Sequence, residues 1–488
     1  MNKKLIKILN FIFPFLLIIF LTFFSYIVCF KEFQFTFDDS WCFQNTYKLF
    51  LGLNLYKDIN IITTPLFYYI GALIFKIFTP SIIVFRIYCL LICFALYFLI
   101  FKVFRKNNVS FYHSLLYTSI VFIFTYDNLV LGYTTYNTFS LVFVLLGVLL
   151  FICKKHSKYY DFLQGFIVFC AFFTKQNIGA FFGIGVLLFE LIYCKSGFIK
   201  SNCKKFIAFF VPFIFYIVFL MKNNLLNYFV DYAFFSVPGF FTNFYINPYI
   251  LLFLIFVLTL LLKIYICKNY SDTDFSNINF MLIVAFCLLF AAAPIFNLFH
   301  IKIAVILSFV LFFLLIDRYC IADILSNNLD WLVKLLVLFL SIMSIIDSLF
   351  SSTYFCDSSE VYYLDDSDVY KFVPLSRDNY ISLIELNNYI ESEALNGNKV
   401  VILSYDSCLV NIYRKEFHGN KDLIFYGNVG SKGVDNIINE ISSSSNVLYL
   451  VKKSDKDYFW QEIVEIFEYV KSSLTKQGEV LDYEIYSK

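Results

Sequence analysis

The sequence predicts an α-helical, polytopic membrane protein with a small α/β domain at its carboxyl end. Of its 488 residues, 60% are hydrophobic and 15% are charged, and the mean hydropathy is +0.74. This composition leaves too little polar surface for a soluble chain of this size. After Phe350 the apolar segments give way to a polar stretch and then to alternating helix and strand patterns, which predicts a separate soluble domain.

The amino terminus predicts an uncleaved first membrane span. Met1–Lys7 holds three lysines, and apolar sequence then continues to Phe30 without a small-residue cleavage site after it. Such a segment is too long for the core of a signal peptide, and its lysines place its start in the cytoplasm. The first loop, residues 31–65 with Asp38 and Asp39, is therefore predicted to lie outside.

Ten apolar segments follow the first span. They lie near residues 64–101, 109–125, 137–153, 161–174, 178–194, 205–221, 249–267, 279–293, 301–316 and 330–350. The first is too long for one helix and is split at Thr79-Pro80, so we interpret 64–79 as a re-entrant or interfacial helix. This interpretation places three basic clusters in the cytoplasm, as the positive-inside rule prefers. These clusters are Lys102–Lys106, Lys154–Lys158 and Lys195–Lys205.

The resulting topology has about eleven spans, with an extracytoplasmic carboxy-terminal domain. The alternative of about twelve spans would place that domain in the cytoplasm. We interpret residues 1–350 as the transmembrane domain, 351–376 as a linker and 377–488 as the soluble α/β domain.

Adjacent carboxylates in the first loop are the leading candidates for chemistry. Asp38 and Asp39 lie side by side just beyond a predicted span, where poorly solvated charges are costly and usually functional. The structural alternative is a solvated loop helix that is capped by Asp39 or Ser40. Asp58, later in the same loop, is a weaker candidate.

Three cationic or titratable side chains are candidates for binding an anion. Lys175 interrupts an apolar stretch beside Gln176 and Asn177, Arg86 lies within apolar sequence, and His300 lies at the outer end of a span. A lysine beside amides suits an anionic headgroup, although it can also snorkel to the interface. A buried arginine needs a partner, whereas a lone histidine is usually structural.

Metal, redox and nucleic-acid functions receive little support. The 13 cysteines are scattered without a C-x-x-C pair, which indicates neither a zinc site nor a disulfide framework. Adjacent aspartates and a distant histidine are compatible with a divalent cation, but no ligand spacing specifies one. The net charge of +2 gives no argument for nucleic acid as a partner. The Gly427–Gly430 turn lacks the full G-x-G-x-x-G pattern, so a plain strand-to-helix turn is favoured.

The carboxy-terminal domain is predicted to alternate helices and strands. We expect helices over Tyr380–Glu393, Val434–Ser442 and Asp457–Leu474, and strands over Lys399–Tyr405, Leu423–Tyr426, Asn446–Val451 and, at the edge of the sheet, Leu481–Tyr486.

The order of motifs over about residues 1–350 resembles the polyprenyl-phosphate-dependent glycosyltransferases of the GT-C superfamily. This superfamily includes the protein O-mannosyltransferases and the aminoarabinose transferases of lipid A. Each motif is weak alone, whereas their order is fairly specific. The motifs are Asp38-Asp39, the segment Gly52–Asp58, Pro65–Tyr69, Phe85-Arg86-Ile87, Thr174–Asn177 and Pro294…His300.

The resemblance implies a bacterial plasma-membrane enzyme that works at the outer face of the bilayer. Its donor would be a polyprenyl-phosphate-linked sugar, and its acceptor a hydroxyl or amine on a glycolipid, wall polymer or protein. By resemblance, Asp38 or Asp39 is the catalytic base of an inverting transfer. Lys175, Arg86 and His300 would bind the donor phosphate. Asp58 would bind the acceptor or a metal.

Two other functions remain open from the sequence. A lipid-linked glycan polymerase or ligase would use the same face, but such proteins typically concentrate catalysis in a large later loop. A transporter or flippase of lipid-linked glycans predicts inverted repeats and broken, charged helices near the membrane centre, and neither is clear in the sequence.

Overall fold

The computed structural model describes most of the chain. The described residues are 22–26, 28–30, 37–129, 135–154, 159–193, 198–236, 252–269, 275–293, 298–317, 361–404, 407–425, 428–453 and 462–488. The chain divides into two compact units. The first comprises Met1–Cys29, Cys89–Tyr216 and Phe244–Ser352, and the second comprises Phe30–Tyr88, Ile217–Asn243 and Thr353–Lys488.

Helices account for nearly all of the described apolar sequence. They are α1 (Phe37–Phe50), α2 (Leu66–Ile77), α3 (Ile82–Lys106), α4 (Phe111–Leu129), α5 (Thr135–Lys154), α6 (Tyr160–Thr174), α7 (Gln176–Tyr193), α8 (Phe198–Lys222), α9 (Leu226–Val230), α10 (Leu254–Asn269), α11 (Ser276–Leu289) and α12 (Leu298–Ile316). A π-helical turn, Asp231–Phe235, continues α9.

Within the described residues, four helices are long and apolar enough to cross a membrane. They contain Ile82–Lys106, Tyr136–Cys153, Gln176–Tyr193 and Ser201–Lys222. The backbone of such a segment satisfies its own hydrogen bonds, which the bilayer interior requires. Six shorter apolar helices accompany them. The predicted span at 330–350 and most of the first span lie outside the described residues, so the span count stays a prediction.

The interfacial helix predicted over 64–79 corresponds to α2. Its 12 residues give about 18 Å at 1.5 Å per residue, less than a hydrocarbon core of about 30 Å. Pro65 precedes the helix, and Phe78 ends it in an extended conformation. A new helix, α3, then starts at Ile82, which matches the predicted break at Thr79-Pro80.

Aromatic side chains join α1, α2 and α3 in the second unit. The ring of Phe43 on α1 lies 5.7 Å from that of Phe75 on α2 and 5.6 Å from that of Phe85 on α3. Phe67 stacks on Tyr88 at 5.2 Å, and the Tyr88 hydroxyl donates to the carbonyl of Phe67. These contacts fix the first turns of α3 against the helix that carries the paired aspartates.

A buried ionic cluster joins α6, α7 and α8 in the first unit. Lys205 Nζ lies 2.5 Å from Glu190 Oε1 and 3.0 Å from Asp161 Oδ1. Ser201 Oγ also donates to Asp161 at 2.7 Å. Burying a charge without a partner is costly, so these groups hold the three helices together.

In its described residues, the carboxy-terminal domain contains four α-helices and one four-stranded sheet. They are α13 (Arg377–Leu395), α14 (Cys408–Arg414), α15 (Gly433–Ser443), α16 (Val464–Ser473), β1 (Lys399–Ile402), β2 (Val447–Lys452), β3 (Thr475–Val480) and β4 (Tyr483–Ser487). The strand order is β1-β2-β4-β3. β1 and β2 pair in parallel, and the other two pairs are antiparallel.

Three sequence-based expectations for this domain need correction. The last strand lies inside the sheet, because it pairs with β2 on one side and with β3 on the other. Thr475–Val480, which has only polar and small side chains before Val480, is the unpredicted edge strand. The strand predicted at Leu423–Tyr426 is a single bridge from Phe425 to Glu462.

The segment predicted as a linker contributes to the core of the second unit where it is described. Leu364, Val369, Tyr370, Val373 and Leu375 are all buried. The Tyr370 hydroxyl donates to the carbonyl of Leu409 at 3.0 Å, and the Val369 carbonyl accepts from the amide of Ile82 at 3.1 Å.

Candidate functional site

The paired aspartates lie in the first turn of a helix. Asp38 and Asp39 are the second and third residues of α1, which begins at Phe37. Their side chains lie outside the described part of the structure. Acidic residues in a first turn also stabilise the helix through its dipole, so a structural contribution accompanies any catalytic one.

Two buried amide side chains follow the aspartates on α1. Gln44 and Asn45 are each 1% exposed, and the side-chain nitrogens of both, with the oxygen of Gln44, make no hydrogen bond in the structure. An unbonded amide in the interior costs about 1–3 kcal/mol. α1 therefore carries amide groups that could hydrogen-bond a bound ligand.

Asp58 stabilises its own turn. Its Oδ2 atom accepts hydrogen bonds from the backbone and side-chain nitrogens of Asn54, both at 2.9 Å. The Asp58 amide returns a bond to the Asn54 carbonyl. This arrangement gives Asp58 a local structural role, and its role toward an acceptor or a metal stays a prediction.

Arg86 is buried at the start of α3, with 3% of its surface exposed. It follows Phe85, whose ring packs against Phe43 of α1. Arg86 and the two aspartates therefore belong to the same cluster of helices in the second unit. A cation in this cluster can offset carboxylate charge or receive an anionic ligand.

Lys175 occupies a break between two helices. α6 ends at Thr174 and α7 begins at Gln176, while Lys175 between them is extended, with φ −149° and ψ 114°. The chain reverses closely enough that a Cβ atom on Gly179 would overlap the backbone nitrogen of Phe172. This break holds the backbone of Lys175 in one place.

The lysine side chain lies over an aromatic ring. Lys175 Nζ is 4.8 Å from the ring centroid of Tyr136, at the start of α5. Two of the three predicted phosphate ligands, Lys175 and His300, belong to the first unit.

Asn137, beside Tyr136, is a further polar group in this region. It is 1% exposed, and neither its Oδ1 nor its Nδ2 atom makes a hydrogen bond. Sequence reasoning missed both Tyr136 and Asn137, because they begin an ordinary apolar segment. A conspicuous amide at the start of a span was the available signal.

The candidate residues fall in both units. Asp38, Asp39, Asp58 and Arg86 belong to the second, and Lys175 and His300 belong to the first. Among the described side chains, no group of three or more His, Cys, Asp or Glu residues forms a metal site. The side chains of Asp38 and Asp39 are not among the described ones, so this finding does not apply to them.

Comparison with known proteins gives matches to solved structures. No family model matches the chain, and no curated protein matches it. Solved structures of ArnT from Cupriavidus metallidurans are similar. The apo structure has a TM-score of 0.60 and 9% identity, covering 96% of this chain and 97% of that one. The structure bound to undecaprenyl phosphate has a TM-score of 0.56 and 10% identity, with the same coverage.

These similarities confirm the predicted class, a polytopic helical membrane protein of GT-C-like fold with a small carboxy-terminal α/β domain. Because the match spans both chains almost completely, the carboxy-terminal domain belongs to the shared architecture.

Proposed function

We propose that the protein is an integral-membrane glycosyltransferase. It moves a sugar from a polyprenyl-phosphate donor to an acceptor hydroxyl at the outer face of the plasma membrane. The observation that carries this proposal is the full-length similarity of fold to the ArnT structure solved with undecaprenyl phosphate. The acceptor is a glycolipid, a wall polymer or a protein.

A first-loop aspartate is the base in this proposal. The acceptor oxygen attacks the anomeric carbon, its proton passes to the carboxylate, and the bond from that carbon to the phosphate oxygen breaks. Asp38 or Asp39 fills the role, and Asp38 is the first to test. Attack from the face opposite the phosphate inverts the anomeric configuration.

Lys175 stabilises the departing polyprenyl phosphate. Negative charge collects on the phosphate oxygens as the bond breaks, and a fixed cation lowers the energy of that state. The Tyr136 ring at 4.8 Å and the helix break support a fixed position for this lysine. His300 and Arg86 are the further candidates for the same anion.

The test is sugar transfer by the purified full-length protein in lipid bilayers. It uses a panel of radiolabelled undecaprenyl-phosphate sugars and bacterial envelope material as acceptor. We expect Asp38→Asn or Asp39→Asn to lower transfer about 10²–10⁴-fold while donor binding remains, since a positioned base contributes that much. Lys175→Ala should raise the donor KM and lower kcat, whereas Lys222→Ala, at an exposed lysine, should do neither.

Two outcomes would overturn the proposal. Full transfer in both aspartate variants would remove the paired aspartates from the chemistry. If no donor is turned over and intact lipid-linked glycan instead crosses the bilayer, the protein is a transporter.

A further inference from the structure

One short segment of the carboxy-terminal domain contacts, and in this sense receives, three other segments of the second unit. We define this receiving segment as residues 422–425 and 428–431. It includes part of the turn that the sequence analysis considered as a ligand-binding loop. The segments that it receives are the end of α1, the loop that follows α1, and the helical stretch Leu226–Phe235.

The first contact is a buried ion pair at the end of α1. Lys48 Nζ contacts Asp422 Oδ2, and both residues are 1% exposed. The other carboxylate oxygen of Asp422 accepts from the amide of His418 at 2.7 Å and from Asn411 Nδ2 at 3.3 Å. Lys48 Nζ also lies 5.0 Å from the ring centroid of Phe417.

The second contact comes from the loop after α1. Asn60 is 3% exposed, and its Nδ2 donates to the carbonyls of Leu423 at 3.1 Å and Asn428 at 3.2 Å. The same loop holds Tyr56 in the left-handed region, with φ 69°. This conformation is rare for a bulky residue, and the Tyr56 hydroxyl bond to the Thr63 carbonyl at 3.0 Å helps to maintain it.

The third contact comes from the stretch after α8. The Ser431 amide donates to Asp231 Oδ1 at 3.0 Å. Gly430, with φ 78°, approaches so closely that a Cβ atom there would lie 2.7 Å from Asp231 Oδ2. Phe229 of the same stretch packs edge-on against Tyr56 at 5.1 Å, so this stretch also contacts the loop after α1.

The ion pair between Lys48 and Asp422 is better suited to fixing the position of α1 than to stabilising the fold. A buried ion pair loses the hydration of both ions, and an apolar pair of similar volume often folds as stably or better. What a buried pair does supply is a single geometry, because either ion without the other is strongly disfavoured. Here that geometry fixes the last turn of α1, the helix whose first turn carries Asp38 and Asp39.

We propose that Lys48 and Asp422 are positioning residues, through which the carboxy-terminal domain sets the placement of the helix that bears the catalytic base. This inference rests on the proposed function for its catalytic readout. The receiving segment binds the chain's own loops. The second and third contacts hold neighbouring segments of the same face.

The experiment compares four full-length variants in lipid bilayers. Lys48→Met and Asp422→Asn break the ion pair, Lys48→Met/Asp422→Leu replaces it with an apolar pair, and Lys57→Met is the matched control at an exposed lysine of the same loop. For each variant, the melting temperature, kcat, donor KM and amide hydrogen exchange of residues 40–50 are measured.

We expect the single variants to lower both the melting temperature and kcat. The double variant should recover the melting temperature, but its kcat should stay about a hundredfold low, the size that a misplacement of about 1 Å can cause. Donor KM should change little, because Lys175 is untouched. Lys57→Met should match wild type.

Two results would overturn the inference. If the double variant recovers kcat in step with its melting temperature, the pair only stabilises the fold. If amide exchange over residues 40–50 is as slow in Lys48→Met as in wild type, the pair does not hold α1. Hydrogen exchange needs no substrate, so it tests this inference even if the wild-type protein transfers no sugar. An absence of sugar transfer would count against the proposed function and not against this inference.

Discussion

At the scale of single residues, the ammonium groups of three lysines make two kinds of contact, one with carboxylates and one with aromatic rings. Lys48 and Lys205 each contact a buried carboxylate, which neutralises them and commits them to structure. Lys175 lies over the ring of Tyr136, as Lys48 lies over that of Phe417 and Lys205 over that of Tyr160. A cation–π contact does not by itself cancel the charge of a lysine, which agrees with the anion-binding role proposed for Lys175.

His418 is the residue from which we expect a pH dependence of stability. Its imidazole is partly buried in the carboxy-terminal domain, and Nδ1 makes no hydrogen bond. Burial lowers the pKa of His418. The positive charges of Lys399 and Lys48 lower this pKa further, whereas the negative charges of Asp422 and Glu416 raise it and partly offset the decrease. The folded state therefore disfavours the protonated imidazole.

The sign of the effect follows from proton linkage. Below about pH 6.5 the unfolded chain protonates this histidine, whereas the folded domain resists protonation. The unfolded state then binds more protons, so stability is full above that pH and is lost as the pH falls through the unfolded pKa toward the folded one. The pKa of the Glu484 carboxyl is lowered because Lys476 and Tyr486 donate hydrogen bonds to it. The stability that this carboxylate contributes is therefore lost only below about pH 4.5.

We expect hydrogen exchange of Val447–Lys452 in the full-length protein to accelerate from pH 7 to pH 5, after correction for the intrinsic rate. Buffers at constant ionic strength separate the titration from salt effects. His418→Gln should flatten this dependence, because no group titrates at that position. An unchanged slope in His418→Gln would show that another group carries it.

At the scale of elements, apolar segments were predictable because length and hydropathy determine where a helix lies. The break before Ile82 followed from Thr79-Pro80, and the α6–α7 break from Lys175. The edge strand Thr475–Val480 was not predictable, because its polar residues lack alternation. The ion pair between Lys48 and Asp422 was equally hidden, since contacts between distant residues leave no local pattern.

The turn at Lys175 depends on one glycine. A methyl group on Gly179 would overlap the backbone of Phe172 and Ala171, whereas one on Gly183 meets only Val168 Cγ1, at 3.0 Å. Backbone cannot give way as a side chain can, so Gly179→Ala must separate α6 from α7. We expect it to lower the melting temperature and to reduce transfer at least as much as Lys175→Ala.

Gly183→Ala is the matched control, because it makes the same chemical change one turn further along α7. Its melting temperature and transfer should stay close to wild type. Equal damage from both substitutions would mean that helix–helix packing in general, and not the turn at Lys175, controls the activity.

At the scale of the whole molecule, the candidate residues are far apart in the chain and belong to two compact units. The paired aspartates, Arg86 and the carboxy-terminal domain belong to one compact unit, and Lys175 and His300 belong to the other. The order of short motifs identified the fold class because it sampled both units. No single motif could have done so.

The topology that we propose makes the last prediction. The carboxy-terminal domain should be extracytoplasmic, because the basic clusters near Lys102, Lys154 and Lys195 are best placed inside. In a background without the native cysteines, we would restore the exposed Cys203 of α8 in one variant and introduce Ser472→Cys, at an exposed position of α16, in another. Both would be treated with a membrane-impermeant maleimide in intact cells.

We expect Ser472→Cys to react in intact cells and Cys203 to react only after the membrane is permeabilised. The two residues control for each other, since Ser472→Cys reports on the carboxy-terminal domain and Cys203 reports on the end of α8 beside the basic cluster Lys195–Lys205. The reverse pattern would place the carboxy-terminal domain in the cytoplasm. Because Lys48 contacts Asp422, that result would also bring the end of α1 to the inner face, and a lipid-linked donor at the outer face could then no longer be the substrate of the paired aspartates.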